Sequence, residues 1–235
     1  MPLVAAAVCP CPPVIVPEVA AGAAPELDDL RSACDEAVAR LRAAGPDALV
    51  LIGTGDRTAW RPSDEYGSLR PWGVPVDVSL DGRGRPGLPL SLTVGAWLLS
   101  RATGRVAPVL DAASVAADEK PAGCATFGLE CAGRRPRVAL LAMGDGSAVG
   151  AVQAAGMVDE RAAAFDAGTA RALGSADLDA LLALDPGLAT ELVAAGRPAW
   201  QVLAGAAAGT GWDAELLYSA APYGVRYHVA SWTAR

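Results

Sequence analysis

The chain has 235 residues and a formal net charge of −7, with 26 acidic and 19 basic side chains and a single histidine, His228. One histidine cannot supply a three-histidine zinc site, a two-histidine iron site or an H-E-x-x-H helix. The excess of negative charge argues against binding to duplex nucleic acid and to anionic membranes, because both require a basic face. The single lysine, Lys120, precedes a proline, which excludes a phosphate loop ending in Gly-Lys-Ser/Thr.

The composition, 52% hydrophobic and 19% charged, is typical of a globular chain. No apolar segment reaches the ~18 residues that a membrane-spanning helix needs, so we expect no membrane partner. The first residues carry no positive charge, and prolines at positions 10, 12 and 13 interrupt the opening apolar run. This pattern argues against a secretion signal. We therefore expect a cytoplasmic protein whose cysteines are reduced.

The order of apolar runs predicts an α/β fold. A short buried strand at 3–8, an amphipathic helix at 26–44 and a second strand at 48–52 form a strand–helix–strand unit with parallel strands. The irregular stretch 54–90 contains one predicted strand, at 76–80, and is followed by a helix at 91–102 and a strand at 106–110. A turn-rich stretch at 112–123 precedes a strand at 137–143. Helical pieces then run from 160 to 208, broken near Gly174, Pro186 and Gly196, and strands follow at 216–219 and 225–232.

Together these elements predict one domain spanning residues 1–235, with a mixed central β-sheet and helices on both faces. Ligands bind such sheets at the carboxyl ends of the strands, so the loops that follow strands are the candidate site. These loops and the turn before the last strand contain the candidate pocket residues Cys11, Gly55, Asp56, Asp145, Ser147 and Tyr223. Turn formation alone accounts equally well for the glycines and prolines in these loops.

No single motif in these loops identifies a reaction. The Cys9-x-Cys11 spacing is shorter than that of zinc sites, and Ser147 is not part of a G-x-S-x-G turn. A serine triad would require His228, which lies in the strand predicted at 225–232 and is better explained as a packed residue. Cys11 could act as a nucleophile only if Arg57 or a helix N-terminus lowered its pKa.

Two further features of the loops leave their role open. The glycines at 144, 146 and 150 match a dinucleotide-binding loop only loosely. The irregular stretch 54–90 contains three aromatic side chains that either line a pocket or pack beneath the loop: Trp60, Tyr66 and Trp72.

Several motifs, in the same order along the chain, resemble the class III extradiol ring-cleavage dioxygenases, that is, the LigB-type catalytic subunits and the related Memo-like proteins. The segment AVCPCPPVIVPEV at 7–19 resembles the P-H-P-P turn with its apolar extension, and Gly144-Asp145-Gly146-Ser147 resembles the G-D-x-S-H turn. Weaker matches follow at 47–53, at Phe165-Asp166, at Trp200 with Gly205-Ala206, and at 223–227.

The resemblance implies a mixed α/β fold and, in active members, a non-haem Fe(II) held by two histidines and a glutamate, with a further histidine for acid–base chemistry. This sequence departs from the family at each of those positions. Cys11 occupies the position of the first ligand, Gly55 or Asp56 that of the second, Gly196 that of the carboxylate, and Ala148 that of the acid–base histidine.

Three hypotheses follow, and whether the chain is an enzyme stays open among them. The first is a divergent member without the iron site, acting as a binding or regulatory protein or as a metal-free enzyme, with no cofactor. The second is a dioxygenase with Fe(II) held by an unusual set such as Cys11, Asp56 and Asp145. The third is a hydrolase or transferase that uses Cys11 or Ser147. A small-molecule ligand fits all three, and family resemblance suggests a homo-oligomer.

Overall fold

A computed structural model describes residues 3–80, 84–101, 109–149 and 159–235. The strands in these ranges are β1 (Leu3–Cys9), β2 (Ala48–Gly55), β3 (Ala59–Arg61), β4 (Glu65–Ser68), β5 (Asp77–Ser79), β6 (Arg85–Pro86), β7 (Val109–Ala116), β8 (Val138–Met143), β9 (Trp212–Ala220) and β10 (Tyr227–Ala234). The helices are α1 (Pro17–Ala20), α2 (Asp28–Ala43), α3 (Leu90–Arg101), α4 (Pro121–Ala132), α5 (Glu160–Ser175), α6 (Leu178–Leu182), α7 (Pro186–Glu191) and α8 (Arg197–Ala206). Short 3₁₀ segments lie at Pro13–Ile15, Ala21–Leu27 and Arg70–Trp72.

The central sheet has seven strands in the order β3-β7-β2-β8-β1-β10-β9. The four strands β7, β2, β8 and β1 run parallel, and β3, β10 and β9 are antiparallel to their neighbours. A smaller sheet of β5, β4 and β6 lies in the stretch between β3 and α3. The prediction of a mixed central sheet is therefore confirmed.

Helices cover both faces of this sheet, as predicted. One face packs against α2 and α3, and the other packs against α4, α5 and α8. In α2 the side chains of Leu30, Cys34, Val38 and Leu41 recur at intervals of three and four and are all buried. Parallel strands covered on both faces are apolar throughout, and every residue of β8 is buried.

The structure corrects four details of the sequence prediction. The parallel strands β1 and β2 are not neighbours, because β8 lies between them. The helix predicted from residue 26 begins at Asp28, after a 3₁₀ segment. The stretch 112–123 is not turn-rich: β7 continues to Ala116, and α4 begins at Pro121. The irregular stretch 54–90 contains three short strands, β3, β4 and β6, besides the predicted β5.

Polar side chains explain why β7 extends to Ala116 although the sequence predicts a strand that ends at residue 110. Asp111 forms an ion pair with Arg134, and the Ser114 hydroxyl donates a hydrogen bond to the Arg57 carbonyl. These tertiary contacts place polar groups in a strand that apolar patterning alone does not identify. Of the predicted segments, residue 102 and residues 106–108 lie outside the described residues, as does Gly150.

Within the described ranges, no helix combines the length and the apolar character needed to cross a bilayer.

Candidate functional site

The carboxyl ends of the four parallel strands meet at one edge of the sheet. In the strand register, Cys9 pairs with Met143, Met143 with Gly53, and Gly55 with Ala116. Strand β10 is antiparallel to β1, so its first residue, Tyr227, lies at the same edge. This edge therefore collects the loop after β1, the loop after β2, the turn at 144–147 and the turn before β10.

Cys11 and Asp145 are in direct contact at this edge. The Cys11 backbone N–H donates to Asp145 Oδ1 at 2.8 Å, and the Cys11 thiol approaches Asp145 Oδ2 at 3.8 Å. The backbone of Asp145 is fixed from another direction, since its carbonyl accepts a hydrogen bond from Gly196 N–H at 2.8 Å. Two predicted pocket residues from loops 134 positions apart are thus brought together.

Burial shifts the pKa of both side chains upward. Burial raises the pKa of Asp145 to about 6, although the hydrogen bonds from Cys11 act to lower it. The pKa of the Cys11 thiol is raised well above its ordinary value, first by burial and then by the neighbouring charge of Asp145. Cys11 is therefore a neutral thiol at neutral pH, not the thiolate that a nucleophile or metal ligand requires.

Tyr227 completes this group of side chains. It is 2% exposed, and its pKa is raised first by burial and then by the charge of Asp145. We call Cys11, Asp145 and Tyr227 the Asp145 site.

A second carboxylate, Asp166, holds the same turn from its other side. Its two oxygens accept hydrogen bonds from the backbone N–H and the hydroxyl of Ser147, at 2.9 and 2.6 Å. The Arg226 guanidinium lies 3.6 Å from Asp166, and the Arg226 backbone exchanges hydrogen bonds with Gly146 and Ser147. We call Ser147, Asp166 and Arg226 the Asp166 cluster. Ser147 is buried and already bonded in it, with no histidine as a base.

Gly55 and Asp56 lie at the end of β2 but contribute no side chain to the Asp145 site. A Cβ on Gly55 would lie 2.6 Å from the Ser114 Cβ, so the structure has no room for a larger residue there. Asp56 is exposed and forms ion pairs with Arg57 and Arg61 instead. Gly55 and Asp56, although predicted as pocket residues, therefore do not take part in the Asp145 site.

Gly196 is similarly enclosed, because Trp200 occupies the space beside it. A Cβ on Gly196 would lie 2.2 Å from the Trp200 ring. Trp200 is fully buried and belongs to the core on the α8 side of the sheet. A carboxylate at position 196 would displace this ring.

The remaining predicted residues lie at the rim or away from the site. The Tyr223 hydroxyl donates a hydrogen bond to Glu26 at 2.8 Å, and this bond raises the Tyr223 pKa. Trp60 packs on Phe127 and under the Arg134 guanidinium, so it does not line the Asp145 site. Trp72 is 40% exposed on a 3₁₀ segment.

His228 is a packed strand residue, as expected. It is fully buried in β10, with its ring at 6.1 Å from that of Trp200, and its Nδ1 lies 3.0 Å from the Ser219 hydroxyl. Burial lowers the His228 pKa to about 4, against the opposing effect of Asp166. It is therefore neutral at physiological pH and contacts neither Cys11 nor Ser147 through a hydrogen bond.

The donor groups do not fit the iron site that the family resemblance implies. Across the ranges given above, no three His, Cys, Asp or Glu side chains are grouped so that they could hold a metal ion. Of the alternative set Cys11, Asp56 and Asp145, only Cys11 and Asp145 are in contact, and the Cys11 thiol is protonated.

No protein-family model matches the chain, and no curated protein matches it. The structure is similar to the crystal structure of an uncharacterized protein from Escherichia coli K12. The TM-score is 0.61 at 12% sequence identity, and the alignment covers 98% of this chain and 99% of the other. This similarity shows a shared fold and carries no functional conclusion.

One residue of the Asp145 site, Tyr227, and one of the Asp166 cluster, Asp166, were not among the predicted pocket residues. Tyr227 and Asp166 both occur in segments that resemble family motifs, and that was the only signal available for them. Sequence spacing gave no indication that Asp166 binds Ser147, because the partners are 19 positions apart in different elements.

Proposed function

We propose that this chain is a divergent LigB-type or Memo-like protein that binds a small molecule at the Asp145 site and works without the iron of its family. The observation that carries the proposal is that neighbouring side chains fill the space at two ligand positions. Ser114 occupies the space next to Gly55, and Trp200 occupies the space next to Gly196. A ligand side chain fits at neither position without rearrangement.

The third ligand position supports the same proposal. Cys11, which replaces the first histidine, donates its backbone N–H and directs its thiol to Asp145. Metal binding through Cys11 would require loss of a thiol proton whose pKa is raised by burial. The Asp145 site is thus held together by internal hydrogen bonds between the groups that would otherwise face a metal.

The Asp145 carboxyl is the group that could act on a ligand. A carboxyl with a pKa of about 6 changes protonation close to neutral pH, which suits a general acid or base. It remains partly exposed to solvent, whereas Ser147 and Asp166 are buried. The site therefore binds a small molecule and can also transfer a proton between that ligand and the Asp145 carboxyl.

Metal analysis tests the iron-free part of this proposal. Purified protein is incubated anaerobically with Fe(II), desalted and analysed by mass spectrometry for bound metal, with Cys11→Ser in parallel. We expect far less than one metal ion per chain in both proteins. One ion per chain in the wild type, lost in Cys11→Ser, would overturn the proposal in favour of an unusual ligand set.

Ligand binding is tested by NMR with a library of small aromatic and aliphatic fragments. We expect at least one class of fragment to shift signals from Cys11, Asp145 and Tyr227, with no added metal. A matched protein, Asp56→Asn, alters a neighbouring exposed carboxylate and should bind the same fragments equally well. If no fragment shifts signals of the Asp145 site, the binding function is wrong.

A further inference from the structure

Residues 192–196, which connect α7 to α8, lie directly against the turn that carries Asp145. The Gly196 N–H donates a hydrogen bond to the Asp145 carbonyl at 2.8 Å. A Cβ on Gly144 would lie 2.3 Å from the Gly196 Cα, so a side chain at position 144 would push the two segments apart. The place of Asp145 therefore depends on how these residues, which we call the 192–196 loop, are held.

The 192–196 loop is bonded at its first residue although its backbone is strained at the next. The Leu192 carbonyl accepts a hydrogen bond from the Ala148 N–H at 3.0 Å. Val193 has a φ of 55°, a left-handed conformation that is costly for a β-branched residue. Such a conformation persists only where the surrounding contacts fix it. Further contacts along the 192–196 loop must therefore hold it in place.

Thr54, near the end of β2, binds the 192–196 loop at the peptide group next to Asp145. Its hydroxyl donates a hydrogen bond to the Ala195 carbonyl at 2.6 Å. That carbonyl and the Gly196 N–H belong to one planar peptide group. Thr54 and Asp145 are therefore hydrogen-bonded to opposite ends of the same rigid unit, and a shift at one end moves the other.

Thr54 is a firm anchor for this connection. Its backbone is paired with Val115 of β7, and its carbonyl accepts a hydrogen bond from the Ser91 hydroxyl of α3 at 2.7 Å. The other end of the 192–196 loop leads into Arg197, which is 1% exposed and donates a hydrogen bond to the Glu119 carbonyl at 2.7 Å. The 192–196 loop is thus tied both to β2 and to the segment that follows β7.

We propose that Thr54 is a positioning residue of the Asp145 site: through the peptide group between Ala195 and Gly196, it holds the Asp145 carboxyl in contact with Cys11. This inference rests on the proposed function, in which the Asp145 carboxyl binds a ligand or exchanges a proton with it. Both roles require a fixed carboxyl, since a displacement of about 1 Å is enough to impair a site.

Thr54→Val tests this proposal, because valine keeps the shape of the side chain but cannot donate a hydrogen bond. We expect hydrogen exchange of the Gly196 amide to become roughly fivefold faster, since its peptide group loses a hydrogen bond. The Asp145 titration midpoint, measured by carbon-13 NMR, should fall by about 0.5 pH unit or more. Burial is the largest cause of the raised Asp145 pKa, so a looser turn exposes the carboxyl to water and lowers the pKa.

Matched variants separate positioning from a general loss of stability. Thr54→Ser retains the hydroxyl and should restore both values to those of the wild type. Thr126→Val removes a similar hydrogen bond, from an exposed hydroxyl to the Ala122 carbonyl within α4, and should change neither value. Thr54→Ala repeats the test without the added methyl group if circular dichroism shows that Thr54→Val is poorly folded.

Wild-type Gly196 exchange and a wild-type Asp145 midpoint in Thr54→Val would overturn the inference. Equal acceleration at Gly196 and at the buried amides of β8, with an unchanged midpoint, would overturn it too, because Thr54 would then contribute only to overall stability. Neither measurement requires a ligand, so the proposed function is judged separately. If no fragment binds while Thr54→Val lowers the midpoint, the proposed function is wrong and the positioning of Asp145 by Thr54 is confirmed.

Discussion

Asp145 belongs to the turn at 144–147, Asp166 contacts that turn from α5, and the two carboxylates differ in their hydrogen-bond partners. Asp166 accepts two short hydrogen bonds from Ser147 and has the Arg226 guanidinium at 3.6 Å. Asp145 receives one backbone hydrogen bond and a longer contact from a thiol, which is a weak donor. Asp166 therefore holds the turn in place, whereas Asp145 keeps the capacity to bind another group.

The comparison also shows which contacts hold the turn at 144–147. The Asp166 cluster fixes the turn that carries Asp145, and Gly196 fixes the Asp145 backbone. These contacts depend on the fold and not on a metal. Replacing the Asp145 side chain should therefore leave these contacts intact.

The largest expected effect is the loss of the supporting carboxylate. Asp166→Ala leaves the buried Ser147 N–H unpaired and removes the partner of Arg226, so we expect a loss of about 3–5 kcal/mol in the free energy of unfolding. Urea denaturation at pH 7 measures it. Asp166→Asn, which keeps an acceptor for Ser147, should lose less. The exposed Asp213→Ala is the control. If Asp166→Ala lowers the free energy of unfolding no more than this control does, Asp166 does not support the turn and does not differ from Asp145 in that respect.

Replacing the other carboxylate should have the opposite effect. The folded-state pKa of Asp145 is raised to about 6, so its ionised form destabilises the fold at neutral pH. Asp145→Asn should therefore stabilise the protein by up to about 3 kcal/mol at pH 7.5. Below about pH 3, where Asp145 is protonated in both the folded and the unfolded state, the gain should vanish. Destabilisation at pH 7.5 would contradict an unpaired, strained carboxylate.

His228 should oppose Asp145 in the same pH range. The pKa of His228 is lowered to about 4 in the folded state, whereas in the unfolded state it is near 6.5. The stability that the neutral imidazole provides is therefore complete above pH 6.5 and is lost as the pH falls towards 4. The contribution of Asp145 to stability rises as the pH falls from 6 to 4, because its carboxyl is then protonated in the folded state. The effects of His228 and Asp145 therefore largely cancel in the wild type. Asp145→Asn should reveal a loss of about 2 kcal/mol between pH 6.5 and 4.5.

The lone histidine allows a direct check of that assignment. An NMR titration of the single imidazole should give a midpoint near 4 in both the wild type and Asp145→Asn. A midpoint near 6.5 would show that His228 does not carry the expected pH dependence.

The smallest expected effect involves backbone strain near Asp145. Val193 has a φ of 55° and an exposed side chain, in the segment between α7 and Gly196. A left-handed conformation is costly for a β-branched residue, so Val193→Gly should stabilise the protein by about 1 kcal/mol. The gain should be the same at pH 4 and pH 7.5, unlike that of Asp145→Asn. Val193→Ala, which retains a Cβ, should gain less.

The sequence predicted the parts of the fold that depend on local apolar patterning. The strands β1, β2 and β8 follow from runs of apolar residues. Breaks near Gly174, Pro186 and Gly196 predict three or four helical pieces, and the structure has four. The strand β7 was only partly predicted, because Asp111 and Ser114 are accommodated by contacts with distant residues. The short strands β3, β4 and β6 are too brief to show an alternating pattern.

Only part of the candidate site could be predicted from the sequence, because side-chain contacts between distant residues are not visible in it. The rule that ligands bind at the carboxyl ends of parallel strands led to Cys11 and Asp145, which are in contact. It also led to Asp56, whose ion pairs with Arg57 and Arg61 depend on side-chain orientation that spacing does not specify. The exclusion of side chains at Gly55 and Gly196 by Ser114 and Trp200 is a packing result that no motif contains.

The protonation of Asp145 tests the central claim most directly, since the proposed site depends on a partly exposed carboxylate that forms no ion pair with a described cation. Carbon-13 NMR of labelled aspartate carboxyls, with Asp145→Asn to assign the signal, gives its pKa in the metal-free protein. We predict a midpoint at about 6. A midpoint below 4 would contradict the account, because Asp145 would then already be satisfied by the protein itself.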